Sequence, residues 1–203
     1  LVGRITVDDV MDEVREQAER DYQLASGLSQ DVETDDNVWR QTTARLPWLL
    51  IGMIGGIGNS MILGNFDNLF ARFPEMALYI PLIGGTGGNV GTQSSALVVQ
   101  GLANSSLDAG NTWKQLIKES VVALINATII SMLVYIYNFI RFGPAATVSY
   151  SVSLSLFAVV MFASLFGTLV PMTLEKCKID PAIATGPFIS ITNDIIGMMM
   201  YMG

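Results

Sequence analysis

Histidine is absent from this chain, and cysteine occurs once, at Cys177. Without histidine, catalysis that rests on an imidazole base is excluded. With a single thiol there is no intrachain disulfide, and no zinc site built on Cys and His within one chain. Charge is scarce too. Asp, Glu, Lys and Arg make up 14% of the residues, against about 25% in an ordinary soluble domain. No low-complexity tract and no repeat of fixed period is visible. What is plentiful is apolar: 51% of the 203 residues are hydrophobic and the mean hydropathy is +0.46. These numbers describe a membrane protein.

The few charges are unevenly placed. Residues 1–45 hold 11 acids and 5 bases, a balance of −6, whereas residues 46–203 hold 7 acids and 6 bases, a balance of −1. An acidic front argues against nucleic acid and against anionic lipid surfaces, and suits cations. No cleavable signal peptide is visible, because the start is charged and periodic rather than an apolar run behind a basic one.

Residues 2–6 are expected to form a short strand. Thr6 then begins a helix: Thr6 with Asp9 fits a capping box, and Asp8 and Asp9 sit where the helix dipole favours acids. Val10, Val14, Met11 and Ala18 form an apolar stripe, and Gly27 is a natural stop. Residues 29–37 are polar and acidic, a linker. Trp39, Arg40 and Arg45 then suit a membrane interface. Five apolar segments follow, at 46–66, 76–102, 116–140, 148–174 and 181–203. A span needs about 20 such residues. The expected fold is therefore an all-α polytopic membrane protein with five transmembrane helices. Arg40, Arg45, Lys114, Lys118, Lys176 and Lys178 fall on one side, and Arg72 and Arg141 on the other. This asymmetry places the N-terminal part in the cytoplasm and the C-terminus outside.

Two of the five segments carry unusual chemistry. Within 81–95, five glycines stand beside Asn89, Thr92, Gln93 and two serines. Glycines there can break a helix and turn backbone carbonyls toward a cavity, since irregular backbone at membrane depth survives only in protein or beside water. Close packing of small residues is the competing reading. A phosphate loop is excluded, because no Gly-Lys-Ser/Thr follows. In the last segment Pro187 is followed by Asn193 and Asp194. Asp194 is the one charge after Asp180, and a carboxylate at membrane depth costs at least ~2.5 kcal/mol. No base lies inside any segment to pair with it. Two Pro- or Gly-interrupted spans with polar groups past the break point to a transport site between them. Glu119, near the start of the third segment, reads either as a solvated interfacial acid or as a pore-mouth acid. The eleven methionines suit packing rather than soft-metal binding, which would want Cys beside them.

The groups on offer are hard oxygens, which suit Mg²⁺, Ca²⁺ or Mn²⁺. One carboxylate per chain is too little for an all-protein cage. Mg²⁺ keeps several waters and takes one or two carboxylates, so a hydrated ion held by Asp194 and its symmetry mate is physically sensible. Two other classes compete. An intramembrane aspartyl protease needs two carboxylates at depth, and each chain supplies one. An H⁺- or Na⁺-coupled divalent cation transporter could use Asp194 as its proton carrier.

At these residues the chain resembles the membrane domain of the MgtE family of Mg²⁺ channels. The resemblance rests on residues 79–94 (Tyr-Ile-Pro-Leu-Ile-Gly-Gly-Thr-Gly-Gly-Asn-Val-Gly-Thr-Gln-Ser), residues 192–201 (Thr-Asn-Asp-Ile-Ile-Gly-Met-Met-Met-Tyr) and the Ile-Asp-Pro-Ala lead-in at 179–182. It implies a homodimer in an inner cell membrane, with segments two and five lining a pore. Asp194 would hold hydrated Mg²⁺ beside the carbonyl of Ser190, with Mn²⁺, Co²⁺ and Ca²⁺ as other candidate ions. Gly88, Asn89, Thr92 and Asn193 would line the path, and Glu119 matches a family acid near the pore. Thr92 replaces an Asn found in other members. Residues 1–28 resemble the end of a cytoplasmic CBS domain, 29–45 a linker and connecting helix, and 46–203 the pore domain. In the family, acids in that tail bind regulatory Mg²⁺ that closes the pore; Asp8, Asp9, Asp12 and Asp21 match, whereas Gln17 and Arg20 stand where some members have acids. The rest of the cytoplasmic N-terminal and CBS domains would lie outside this sequence. No enzymatic activity is implied.

Overall fold

The computed structural model describes residues 5–29, 31–103, 112–143, 147–184 and 186–203. Among them the fold is nearly all helix, with seven α-helices and no strand. The strand expected at 2–6 falls largely outside the described residues.

Helix α1 (Val7–Ala25) is set by its ends. Thr6 accepts from the Asp9 amide at 3.2 Å, and Asp9 accepts from the Thr6 amide at 2.8 Å, which closes the capping box. At the other end Gly27 takes φ +80°. The amides of Leu28 and Gly27 bond back to the carbonyls of Gln23 and Leu24 at 2.9 and 3.0 Å, a Schellman ending that favours glycine. The helix buries no residue, and Val10, Met11 and Val14 stay exposed. The acidic linker is ordered by polar contacts. Arg40 pairs with Asp36 at 2.9 Å, and the Gln41 amide donates to the carbonyls of Glu33, Thr34 and Asp36.

Helix α2 (Val38–Gly64) starts at the Asn37 cap, whose side chain accepts from the Arg40 amide at 2.8 Å. It runs unbroken across the boundary expected at 45/46. The short helix α3 (Asp67–Arg72) and a 3₁₀ turn (Pro74–Tyr79) lead into α4 (Ile80–Ala103). Helices α5 (Thr112–Phe142) and α6 (Thr147–Lys176), a 3₁₀ turn (Pro181–Ala184) and α7 (Pro187–Met202) complete the chain. By length and apolarity three helices, α2, α5 and α6, are able to cross a membrane. Helix α4 has 24 residues but is diluted by Gly, Asn, Thr, Gln and Ser. Helix α7 has 16 residues, short of the ~20 of a simple span.

One expectation is corrected here. The glycine-rich run does not break its helix: α4 is continuous α-helix from Ile80 to Ala103. Nor do the prolines interrupt spans. Pro81 lies in the first turn of α4, and Pro187 opens α7, where a missing N–H costs nothing. The glycines act by size instead. Gly84, Gly87, Gly88 and Gly91 are buried along one face of α4. A Cβ on Gly167 of α6 would overlap the carbonyl oxygen of Gly91, so α4 and α6 cross with backbone against backbone. Helix α6 is the central element: thirteen of its residues are buried, including Val152, Leu156, Val159, Val160 and Ala163. Its contacts to α4, α5 and α7 make the core, which Ile83, Met198 and Tyr201 complete.

Candidate functional site

Helix α7 packs one face, Ile189, Asn193, Gly197, Met198 and Tyr201, against α4 and α6. Asp194 follows Asn193 and so points about 100° further round the helix. It is half-buried on the flank of that seam. Its neighbours are the glycines of α4. A Cβ on Gly84 would stand 3.5 Å from Asp194 Oδ1, and one on Gly88 would stand 3.2 Å from Oδ1 and 2.7 Å from Ser190 Oγ. The glycines thus give the carboxylate and the Ser190 hydroxyl room beside the α4 backbone. Ser190 sits one turn before Asp194, and its amide is bonded to the Gly186 carbonyl at 3.0 Å. Asp194 Oδ1 is buried and has no hydrogen-bond partner among the described residues. A buried polar atom left in this way costs about 1–3 kcal/mol, more when charged.

The expected site residues divide into three groups. Asp194, Ser190 and Gly88 come together. Asn193 turns into the α4–α7 seam against Gly91, with both amide atoms buried and unpaired among the described residues. Asn89, one position past Gly88, is exposed, and Thr92, one turn past it, is partly buried. Glu119 lies elsewhere. It is 8% exposed, and its Oε1 accepts from the Ser94 hydroxyl of α4 at 2.7 Å and from the Ser164 hydroxyl of α6. The two hydroxyls are 3.0 Å apart. This joins three helices, and it opens on a cavity of about 530 Å³ that Gln93, Gln115 and Asn126 also line. Asp8, Asp9 and Asp12 are exposed on α1, Asp21 partly so. Asp9 makes its cap contacts through Oδ2, and Asp21 accepts from Gln17 at 2.7 Å. The Thr6 hydroxyl and amide hold the Asp9 carboxyl below its ordinary range.

Ser164 and Gly167 were not singled out from the sequence, and Gly84 and Ser94 were read only as members of the 81–95 run. A signal existed. Ser149, Ser153, Ser164 and Thr168 of α6 are all buried, at offsets of 4, 15 and 19 residues, which one helix face shares.

The end of α1 meets the start of α7. A Cβ on Gly27 would lie 2.7 Å from Pro187 Cγ, and one on Gly186 would overlap the Ala25 carbonyl oxygen.

Three helices able to cross a membrane, and a half-buried carboxylate whose Oδ1 has no hydrogen-bond partner among the described residues beside a face of glycines, define the class: a helical membrane protein with an acid set among its apolar helices. The family model described as MgtE, divalent cation transporter, matches residues 80–203. The chain belongs to this family. It is similar to proteins named magnesium transporter MgtE from Bacillus subtilis, 32% identical over 203 residues, and from Thermus thermophilus, 30% identical over 208 residues. A third, from Enterococcus faecalis, is 29% identical over 201 residues. These alignments cover 99–100% of this chain and 44–45% of each relative. The chain therefore spans less than half the length of the relatives it matches.

Proposed function

We propose that the chain is the membrane part of a transporter that passes hydrated Mg²⁺ along a path beside α4 and α7. Asp194 is the ion's main protein ligand, through its waters, with the Ser190 carbonyl beside it and Gly88, Asn89, Thr92 and Asn193 near the path. The observation that carries this reading is the buried, unpaired Oδ1 of Asp194 against Gly84 and Gly88. Among the described residues no three His, Cys, Asp or Glu converge. That suits an ion that keeps several waters and takes one or two carboxylates. Two chains related by symmetry would supply two copies of Asp194 and close the path at a homodimer interface.

In this reading α2, α4, α5, α6 and α7 are the five spans of an inner-membrane protein, N-terminus cytoplasmic and C-terminus outside. Residues 1–28 end a cytoplasmic CBS-like domain and 29–45 connect it to the pore domain. Asp8, Asp9, Asp12 and Asp21 bind regulatory Mg²⁺. The abutment of Gly27 on Pro187 supports a mechanical link between that tail and the pore helix. No coupling ion is needed: a divalent ion entering at 100 mV gains about 4.6 kcal/mol, twice the single-charge value.

The test is Mg²⁺ uptake into liposomes holding the full chain. Asp194→Ala and Asp194→Asn are expected to cut flux at least tenfold, with the protein still monodisperse. Wild-type flux in both would overturn the assignment. Flux driven by potential alone distinguishes a channel from an H⁺- or Na⁺-coupled carrier.

A further inference from the structure

A second carboxylate in the helical body is not used by the site above. Glu119 is 8% exposed, yet it forms no ion pair with a Lys or Arg among the described residues. Its neighbours on α5, Val121, Val122, Leu124 and Ile125, are 42–54% exposed and apolar. A carboxylate in such a wall is costly unless its charge is met. Two serine hydroxyls meet it at one oxygen, Oε1. The remaining acceptor capacity of the group faces the 530 Å³ cavity. The amides of Gln93, Gln115 and Asn126 line that cavity and add hard carbonyl oxygens. Lys118 reaches the same cavity without pairing with Glu119.

The space has the right size. Six waters at about 30 Å³ each occupy roughly 180 Å³, so a hexahydrated divalent ion fits with its shell intact. The place differs from that of Asp194. Ser94 lies six residues after Gly88 on α4, which is about 240° round the helix and about 9 Å along it.

We propose that Glu119, Ser94 and Ser164 form a second site, which binds a hydrated divalent cation in the cavity between α4, α5 and α6. Glu119 supplies the charge. The hydroxyls and the cavity amides hold the ion's waters. Because the ligands come from three helices, an ion there ties α4 to α5 and α6. The site stands apart from the transport reading and is tested without it.

The test uses the full chain in nanodiscs with Asp194→Asn present, so that the first site is removed. Mn²⁺ serves as the probe, a hard-oxygen surrogate for Mg²⁺ that is visible by electron paramagnetic resonance. A nitroxide on Cys177, the single cysteine, reports position. Ser164 precedes Cys177 by 13 residues, so bound Mn²⁺ is expected about 20 Å from that residue's backbone. Glu119→Gln keeps an acceptor for both hydroxyls and loses the charge. It is expected to weaken the Mn²⁺ population at that distance at least tenfold, while Glu119→Asp retains part of it. Excess Mg²⁺ should displace the ion, and excess K⁺ should not. Unchanged Mn²⁺ at that distance in Glu119→Gln, or none in its Glu119-containing parent, would overturn the proposal. Failure of Asp194→Asn to lower flux bears on the transport site alone.

Discussion

The crossing of α4 and α6 offers a sharp test of why the glycine-rich face of α4 meets the single glycine of α6. Gly167 faces the backbone of Gly91. An added methyl would overlap the Gly91 carbonyl oxygen and lie 3.0 Å from its carbon and 3.1 Å from its Cα. Carbon atoms rest at about 3.5–4.0 Å, so the helices must part by roughly 0.5 to 1 Å. A gap of that size forfeits a quarter to a half of the dispersion energy of each contact it opens. No rotamer relieves it, because the obstacle is backbone. Gly167→Ala should therefore destabilise by about 1–3 kcal/mol, the usual cost of overpacking. For a chain of this length that is a fall of about 2–12 °C in Tm. Gly56→Ala is the control. Nothing lies within 4 Å of a Cβ there, and alanine is the better helix former by up to ~1 kcal/mol. The assay is thermal unfolding in detergent, followed by tryptophan fluorescence. Equal Tm values for the two variants would refute a backbone-to-backbone crossing at Gly91.

Two other outcomes follow from named groups. Asn138 is fully buried and accepts from the Tyr79 hydroxyl. Tyr79→Phe leaves that Oδ1 without its donor and should cost about 1–3 kcal/mol, read in the same melting assay; no loss would mean that water replaces the hydroxyl. At the start of α1 the Asp9 carboxyl is held low by Thr6. Its contribution is thus complete above its ordinary value of 3.8 and is lost as pH falls through the depressed one. Amide exchange in the first turn of α1 should accelerate only in that acid range. In Thr6→Ala the carboxyl should titrate nearer its ordinary value, and an unchanged titration would contradict the cap.

Much of this was legible in order along the chain. The capping box at Thr6 and Asp9 and the stop at Gly27 are local chemistry, and each is read within four residues. The apolar runs located the helices, because long stretches of apolar side chains have few structural options. The carboxylate of Asp194 stood out for the same reason: charge is expensive where all its neighbours are apolar. The glycine-rich run was legible as unusual but not in its effect. Whether Gly84 to Gly91 break a helix or let two helices touch depends on what lies opposite, and Gly167 is 76 residues beyond Gly91. Glu119 was ambiguous likewise. A single acid beside Lys118 looks solvated until Ser94 and Ser164 arrive from two other helices.

By itself, then, the order of residues determined the class of solvent, the helices and their caps, and the one acid that no base in its own segment could meet. Those properties depend on neighbours within a few turns. Tertiary structure decided the rest: that Gly84 and Gly88 cradle Asp194 while Asn193 turns into the seam, and that Glu119 belongs to a separate cavity. Contacts of that kind are made by side chains far apart in sequence, where only the crossing of helices can say which face meets which.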